Sequence, residues 1–166
     1  MTEPEKLPQE LQNLRQWVCW RTEPDKKASR DTKVPYNPIT GKRASPSNPA
    51  TWGTLENALS CKEKYFFSGI GFVFTAECGI IGIDIDHCLD DGQPNDVAAD
   101  ILAHLPETYI EISPSKTGLH IFLKGTIPPD GNRRAGVEMY SGGRYFTVTG
   151  QKYQGAVDFI GRIPGE

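Results

Sequence analysis

Residues 68–86, Ser68-Gly-Ile-Gly-Phe-Val-Phe-Thr-Ala-Glu-Cys-Gly-Ile-Ile-Gly-Ile-Asp-Ile-Asp86, decide the class of fold. Two runs rich in β-branched and aromatic residues, Ser68–Phe74 and Ile80–Asp86, flank a turn at Glu77–Gly79. That is the pattern of two strands joined as a hairpin by a short connection. Side chains alternate between faces along a strand. Ile81, Ile83 and Ile85 therefore line one face of the second run, and Gly82, Asp84 and Asp86 the other. Two carboxylates about 6–7 Å apart along a strand can share hard cations such as Mg²⁺ or Mn²⁺. Without a cation, their repulsion disfavours a partly buried sheet face. The plain alternative is an exposed edge strand with solvated acids, and Asp-x-Asp alone is shared by polymerases, nucleases and glycosyltransferases.

Upstream, residues 7–20 read as a short amphipathic helix running into a strand near Trp17–Trp20. Residues 21–50 are polar, and Lys33-Val-Pro-Tyr-Asn-Pro38 excludes a helix there. Residues 51–64 read as a helix with Thr54 as N-cap and Leu55, Ala58 and Leu59 turned inward. Downstream come a loop at 89–95, a helix over 96–105 with Asp96 near its start, and strands at Tyr109–Ser113 and Leu119–Lys124. A Pro- and Gly-rich stretch follows. Val137–Tyr140 and Tyr145–Thr149 then form a final hairpin around Ser141-Gly-Gly143. There are no repeats and no internal linker. The reading is one α+β domain over residues 1–166 built on largely antiparallel sheet, with its core at about 11–150 and a weakly patterned tail at 151–166.

Composition agrees with this outline. A chain of 166 residues can bury a real core, and 17 Gly and 13 Pro favour short elements over a helical bundle. No apolar run reaches the length of a membrane span and no signal-peptide core opens the chain, so a soluble, cytoplasmic protein without membrane contact is expected. Cys19, Cys61, Cys78 and Cys88 lack the close pairing of a zinc site, and read as structural or incidental thiols. The net charge of -3 conceals segregation. Residues 1–43 hold nine Lys/Arg against six Asp/Glu, residues 75–110 hold eight Asp/Glu and no base, and residues 111–153 hold six bases against three acids. An acidic centre between basic flanks suits a metal site beside a phosphate-binding surface, although chance clustering on solvated faces gives the same count.

Two further segments carry chemistry. Residues 113–122, Ser-Pro-Ser-Lys-Thr-Gly-Leu-His-Ile-Phe, set a hydroxyl-rich loop directly before a strand. Its backbone N–H groups, the hydroxyls of Ser113, Ser115 and Thr117, and Lys116 could receive a phosphate chain, with Gly118 permitting close approach. His120 alternates with Leu119 and Ile121, so it leaves the polar face of its strand. A lone histidine is usually structural; the preceding loop and the upstream aspartates favour a functional one. In the last segment, Glu138 lies between Val137 and Met139 and can supply a third metal ligand. Arg144 beyond the turn can bind phosphate bidentately. Tyr145 can stack on a sugar or base, or fill the core.

In order and spacing these three segments resemble the archaeo-eukaryotic primase superfamily. That pattern is Asp-x-Asp on a strand, a Ser/Gly-rich turn ending in a strand with His, then a hydrophobic residue and an acid. The likeness is greatest to the primase-polymerases of phages, plasmids and other mobile elements, and Lys33-Val-Pro-Tyr-Asn-Pro38, Gly41-Lys-Arg-Ala-Ser45 and Thr51-Trp-Gly53 also look like that branch. The resemblance implies an N-terminal α/β unit and a C-terminal unit similar to an RNA-recognition motif, with the active site in the cleft between them. It implies two divalent ions, Mg²⁺ or Mn²⁺, on Asp84, Asp86 and Glu138. It implies nucleotide binding by Ser115–Gly118 and His120, with Arg144 near the triphosphate and Lys33 near triphosphate or template. Family members often carry Ser two residues before the His, where this chain has Gly118, so the hydroxyl that touches nucleotide stays open.

The activity implied is template-directed nucleotidyl transfer, as DNA polymerase and potentially primase, on a DNA template and primer. The substrate is dNTP, with NTP left open, and a helical priming module or a helicase in the same or another chain is an expected partner. Two rivals stand beside it: a two-metal nuclease, and a non-catalytic module that binds single strands on a sheet face through Trp17, Trp20 and Tyr145.

Overall fold

The computed structural model describes residues 6–127, 132–134 and 136–164, so the Pro- and Gly-rich stretch after Lys124 lies partly outside the described residues. In chain order the elements are α1 (Gln9–Gln12), β1 (Trp17–Asp25), β2 (Arg30–Tyr36), α2 (Leu55–Tyr65), β3 (Gly69–Phe74), β4 (Ile80–Ile85), β5 (Leu89–Asp90) and β6 (Gln93–Pro94). They continue with α3 (Asp96–His104), β7 (Ile110–Ile112), β8 (Leu119–Lys124), β9 (Asn132–Arg134), β10 (Val137–Tyr140), β11 (Arg144–Val148) and β12 (Gly161–Arg162). The fold is α+β and mostly antiparallel; β12 runs parallel to β8.

Two sheets carry the domain. The first has the order β11-β3-β1-β2. The second runs β12-β8-β4-β10-β9, with β7 also on β8. Both hairpins expected from the sequence are corrected by this topology. β3 and β4 lie in different sheets, and so do β10 and β11. The physical reason is burial on both sides. Every residue of β3 is buried, and so is every residue of β4 except half-buried Asp84. Such strands need cover on both faces, which two stacked sheets provide and a two-stranded ribbon does not. The β3–β4 connection makes the step with a 3₁₀ turn at Ala76–Cys78, whose first residue is preceded by the capping side chain of Thr75.

A hairpin does occur where none was expected, between β1 and β2, in register from Cys19↔Tyr36 to Asp25↔Arg30. Its outer half is polar and exposed, so it lacks the apolar alternation that signals a strand. β2 is an edge strand, which lets Pro35 stand in it. α2 starts as expected: the Thr54 hydroxyl accepts from Asn57 N at 3.1 Å, and Asn57 Oδ1 accepts from Thr54 N at 3.0 Å. In α3 the cap is Asn95, one residue before Asp96.

An aromatic core joins the sheets. Phe74 meets Phe146 edge-on at 4.8 Å and Phe122 at 5.9 Å, with Trp17, Phe72 and Tyr109 in the same cluster. The opposite face of the second sheet buries Ile81, Ile83, Ile85, Leu119 and Ile121, with Ala98 of α3 in the same cluster. Gly82 sits against the aromatic rings between the sheets. A Cβ there would stand 2.5 Å from ring carbons of both Phe74 and Phe146. The four cysteines are free thiols, three of them buried. Among the described residues, no helix is long and apolar enough to cross a membrane.

Candidate active site

β4 lies between β8 and β10, and the register aligns one row of polar residues across the sheet. Asp84 is opposite His120 on β8 and opposite Glu138 on β10, while Glu111 of β7 is opposite His120 from the other side. Direct cross-strand partners project from the same face. Gly82 and Phe122 share that face and pack against the first sheet, so Glu111, His120, Asp84 and Glu138 all turn toward it.

Asp84 has the most unusual surroundings of the row. Its Oδ1 is buried and has no hydrogen-bond partner, and His120 Nε2 stands 3.5 Å from it. Burial pushes the carboxyl pKa up to about 6. His120 pulls it down, Asp86 and Glu138 push it further up, and Lys33 pulls it down again. One Coulomb neighbourhood therefore holds Asp84, Asp86, Glu138, His120 and Lys33.

His120 is fixed from three sides. Its Nδ1 is 3.0 Å from the Thr147 carbonyl oxygen, so that nitrogen carries the hydrogen and Nε2 is the atom turned to Asp84. The ring stacks on Phe146 at 4.7 Å and 26°. Glu111 Oε1 lies 3.8 Å from Nδ1. Glu111 is fully buried and accepts from Thr149 N at 2.9 Å, Gly150 N at 3.1 Å and the Tyr109 hydroxyl at 2.9 Å. It ties the end of β11 to the strand that backs His120.

Lys33 reaches this group from the β1–β2 hairpin. The Tyr145 hydroxyl, held protonated because burial pushes its pKa up, donates to the Lys33 carbonyl at 2.6 Å. Lys33, Asp84, His120, Tyr145, Phe146 and Thr147 line an open pocket of about 210 Å³. Residues of both sheets thus meet around the Asp84 carboxyl.

Other expected site residues lie differently. β4 ends at Ile85, so Asp86 is an exposed turn residue whose N–H donates to Gly136 O at 3.0 Å, not a member of the strand face. The left-handed turn at His87 then carries the chain away. Arg144 is exposed with its guanidinium 5.4 Å from the Tyr140 ring, and Tyr140 is opposite Gly82 rather than Asp84. The loop hydroxyls are engaged with one another: Ser113 Oγ accepts from Gly118 N at 3.1 Å and meets Ser115 Oγ at 3.1 Å, and Ser115 Oγ meets Thr117 Oγ1 at 2.8 Å. Lys116 is exposed at a positive φ of 67°. A Cβ on Gly118 would stand 2.9 Å from Ile85 O and 3.1 Å from Ser113 Oγ. Glycine at 118 is thus required by the backbone, and Ser113 holds a hydroxyl close to where a side chain at 118 would begin.

Among the described residues, no three His, Cys, Asp or Glu side chains stand close enough together to hold a metal ion as they are placed. The donors still suit a hard divalent cation. They are carboxylate oxygens, and one of them, Asp84 Oδ1, is buried and unbonded.

No family model matches the chain. Over 159 residues it is 37% identical to the DNA primase-polymerase of Nitratiruptor phage NrS-1, covering 89% of this chain. Over that stretch the chain is similar to a primase-polymerase. It spans only 21% of that relative's length. The α+β, mostly antiparallel architecture is compatible with a primase-polymerase fold. Phe146 and Thr147, which line the pocket, and Glu111, which backs His120, are residues that the sequence did not single out. Glu111 between Ile110 and Ile112 has the alternation of a solvent-facing residue; only its register opposite His120 marks it.

Proposed function

We propose that this domain carries out template-directed nucleotidyl transfer in DNA synthesis, in the replication of a mobile element's DNA in its host's cytoplasm, with its active site in the cleft between two parts of the fold. The observation that carries the reading is the buried, unbonded Asp84 oxygen, set between His120 and Glu138 and within reach of Lys33 and Asp86. Asp84, Asp86 and Glu138 would hold two divalent ions, Mg²⁺ or Mn²⁺. Such ions acidify a primer 3′-hydroxyl and neutralise the departing pyrophosphate.

The chain's own residues supply positioning and charge, which dominate phosphoryl-transfer chemistry. Lys33 turns a cation toward the pocket and suits the triphosphate. His120 is held by the Thr147 carbonyl and the Phe146 ring with its Nε2 edge toward the Asp84 side. Tyr145, its hydroxyl engaged by Lys33 O, offers a ring wall to a sugar or base. Arg144 and the loop containing Ser113, Ser115, Lys116 and Gly118 are the outer contacts for the phosphate chain. DNA template, primer and dNTP are the substrates, NTP is the alternative pool, and a helicase or helical priming module is the partner.

The test is extension of a labelled primer with dNTP and Mg²⁺ or Mn²⁺. The double substitution Asp84→Ala, Asp86→Ala abolishes incorporation while circular dichroism shows a folded protein. Undiminished extension by that variant rejects the reading, and degradation of DNA without nucleotides favours a nuclease instead.

A further inference from the structure

The β1–β2 hairpin outruns the sheet that carries it. β1 pairs with β3 only from Trp17 to Trp20, whereas its pairing with β2 continues to Asp25↔Arg30. Among the described residues, Arg21–Asp25 and Arg30–Val34 therefore form a two-stranded ribbon with no third strand beside it. No residue from Arg21 to Pro35 is buried. A ribbon without a buried residue adds little stability in water, so core packing gives no reason for it.

Its charge sets it apart from the rest of the chain. Residues 21–43 hold seven Lys/Arg and three Asp/Glu in a protein of net charge -3. Two of the three acids are engaged within the hairpin and its flank. Glu23 accepts from the Tyr36 hydroxyl at 2.5 Å and faces Arg43 at 3.3 Å and Arg21 at 3.8 Å. Asp25 folds into the turn, where its Oδ1 accepts from Lys27 N at 3.0 Å and Ala28 N at 3.3 Å. Lys26, Lys27 and Arg30 at the tip are exposed, and among the described residues none of them forms an ion pair.

The root of the ribbon is fixed to the carboxylate pocket. Lys33 lines that pocket, and the Tyr145 hydroxyl holds the Lys33 carbonyl at 2.6 Å. From Lys33 to Arg30 the strand runs about 10 Å. The tip cations thus begin about three base steps beyond the root.

We propose that this ribbon is an arm that lies along the sugar–phosphate backbone of duplex DNA, with Lys26, Lys27 and Arg30 contacting phosphates beyond the carboxylate pocket. Duplex DNA presents closely spaced negative charge, and its major groove admits a two-stranded ribbon. Phosphate contacts fix register without reading sequence, which suits synthesis on any template. The proposal rests on the DNA-synthesis reading above and adds to it a surface that holds the primer–template duplex.

The experiment is fluorescence anisotropy of a labelled primer–template duplex with the whole chain, in EDTA and without nucleotides, across a salt series. The triple variant Lys26→Ala, Lys27→Ala, Arg30→Ala should bind about tenfold or more weakly at about 100 mM salt. Its slope of log affinity against log salt should be shallower by about 2–3, and that of Lys27→Gln alone by about 1. A control triple variant, Arg15→Ala, Lys64→Ala, Arg162→Ala, removes the same charge from exposed positions off the ribbon and should keep the parent's slope. Melting temperatures should agree throughout, because every substituted side chain is exposed. An unchanged slope in the ribbon variants overturns the arm, and so does an equal change in the control, which makes net charge the cause. A loss on unpaired oligo-dT without one on duplex also overturns it. The catalytic reading fails separately, through undiminished primer extension by the double aspartate variant.

Discussion

Replacing Asp84 by Asn should make the protein more stable at neutral pH while removing its activity. Folding lifts the Asp84 carboxyl from its ordinary 3.8 to about 6, chiefly through burial. Below pH 3.8 the group is neutral in both folded and unfolded chains and costs nothing. Between 3.8 and about 6 the folded protein keeps the proton that the unfolded chain has lost, so stability falls as pH rises through this window. Above pH 6 the penalty is complete. A rise from 3.8 to about 6 corresponds to about 3 kcal/mol. Asn has nearly the same shape and no charge, so in EDTA at pH 7.5 the variant gains up to that amount. For a domain of this size it appears as a melting temperature higher by about 6–12 °C. The assay is thermal and urea unfolding of parent and variant at pH 4.5, 6 and 7.5, with EDTA. The gap should be widest at pH 7.5 and shrink to about a third of that at pH 4.5. Mg²⁺ or Mn²⁺ should then raise the parent and leave the variant unmoved. A variant that melts at or below the parent at pH 7.5, or a gap independent of pH, refutes the reasoning.

Gly82→Ala drives a methyl group into Phe74 and Phe146, and urea unfolding should record a loss of about 1–3 kcal/mol. Glu111→Ala strips the acceptor from Thr149 N, Gly150 N and the Tyr109 hydroxyl, and should cost about 1–3 kcal/mol in the same assay. Because Glu111 also backs His120 and anchors the end of β11, primer extension by the folded fraction should fall in kcat more than it rises in KM.

The sequence made the apolar strands of the second sheet and their polar face legible, because alternation is a local property. Asp84, His120 and Glu138 could be picked out in this way, and the structure aligns them across three neighbouring strands. Strand partners are not local. Two β-runs with a short turn look the same whether they pair with each other or step between sheets, and burial on both faces of β3 and β4 decides for the step. The end of β4 is hidden for a related reason: alternation does not say where a strand stops, and the ladder stops at Ile85, one residue before Asp86. Glu111 was invisible because a buried acid between two isoleucines has the same spelling as an exposed one.

The stepping of the chain between sheets has a consequence for biosynthesis. β3 is made early, but its sheet is completed by β11, and the Thr147 carbonyl that holds His120 belongs to that late strand. Contacts so distant in sequence form slowly, and a chain emerging from the ribosome cannot form them until both partners are outside. The carboxylates of β4 and the histidine of β8 therefore emerge first as an unfinished half-site. The pocket closes only after about residue 148 has cleared the exit, so the nascent chain has no nucleotide pocket until nearly all of the domain is available to fold.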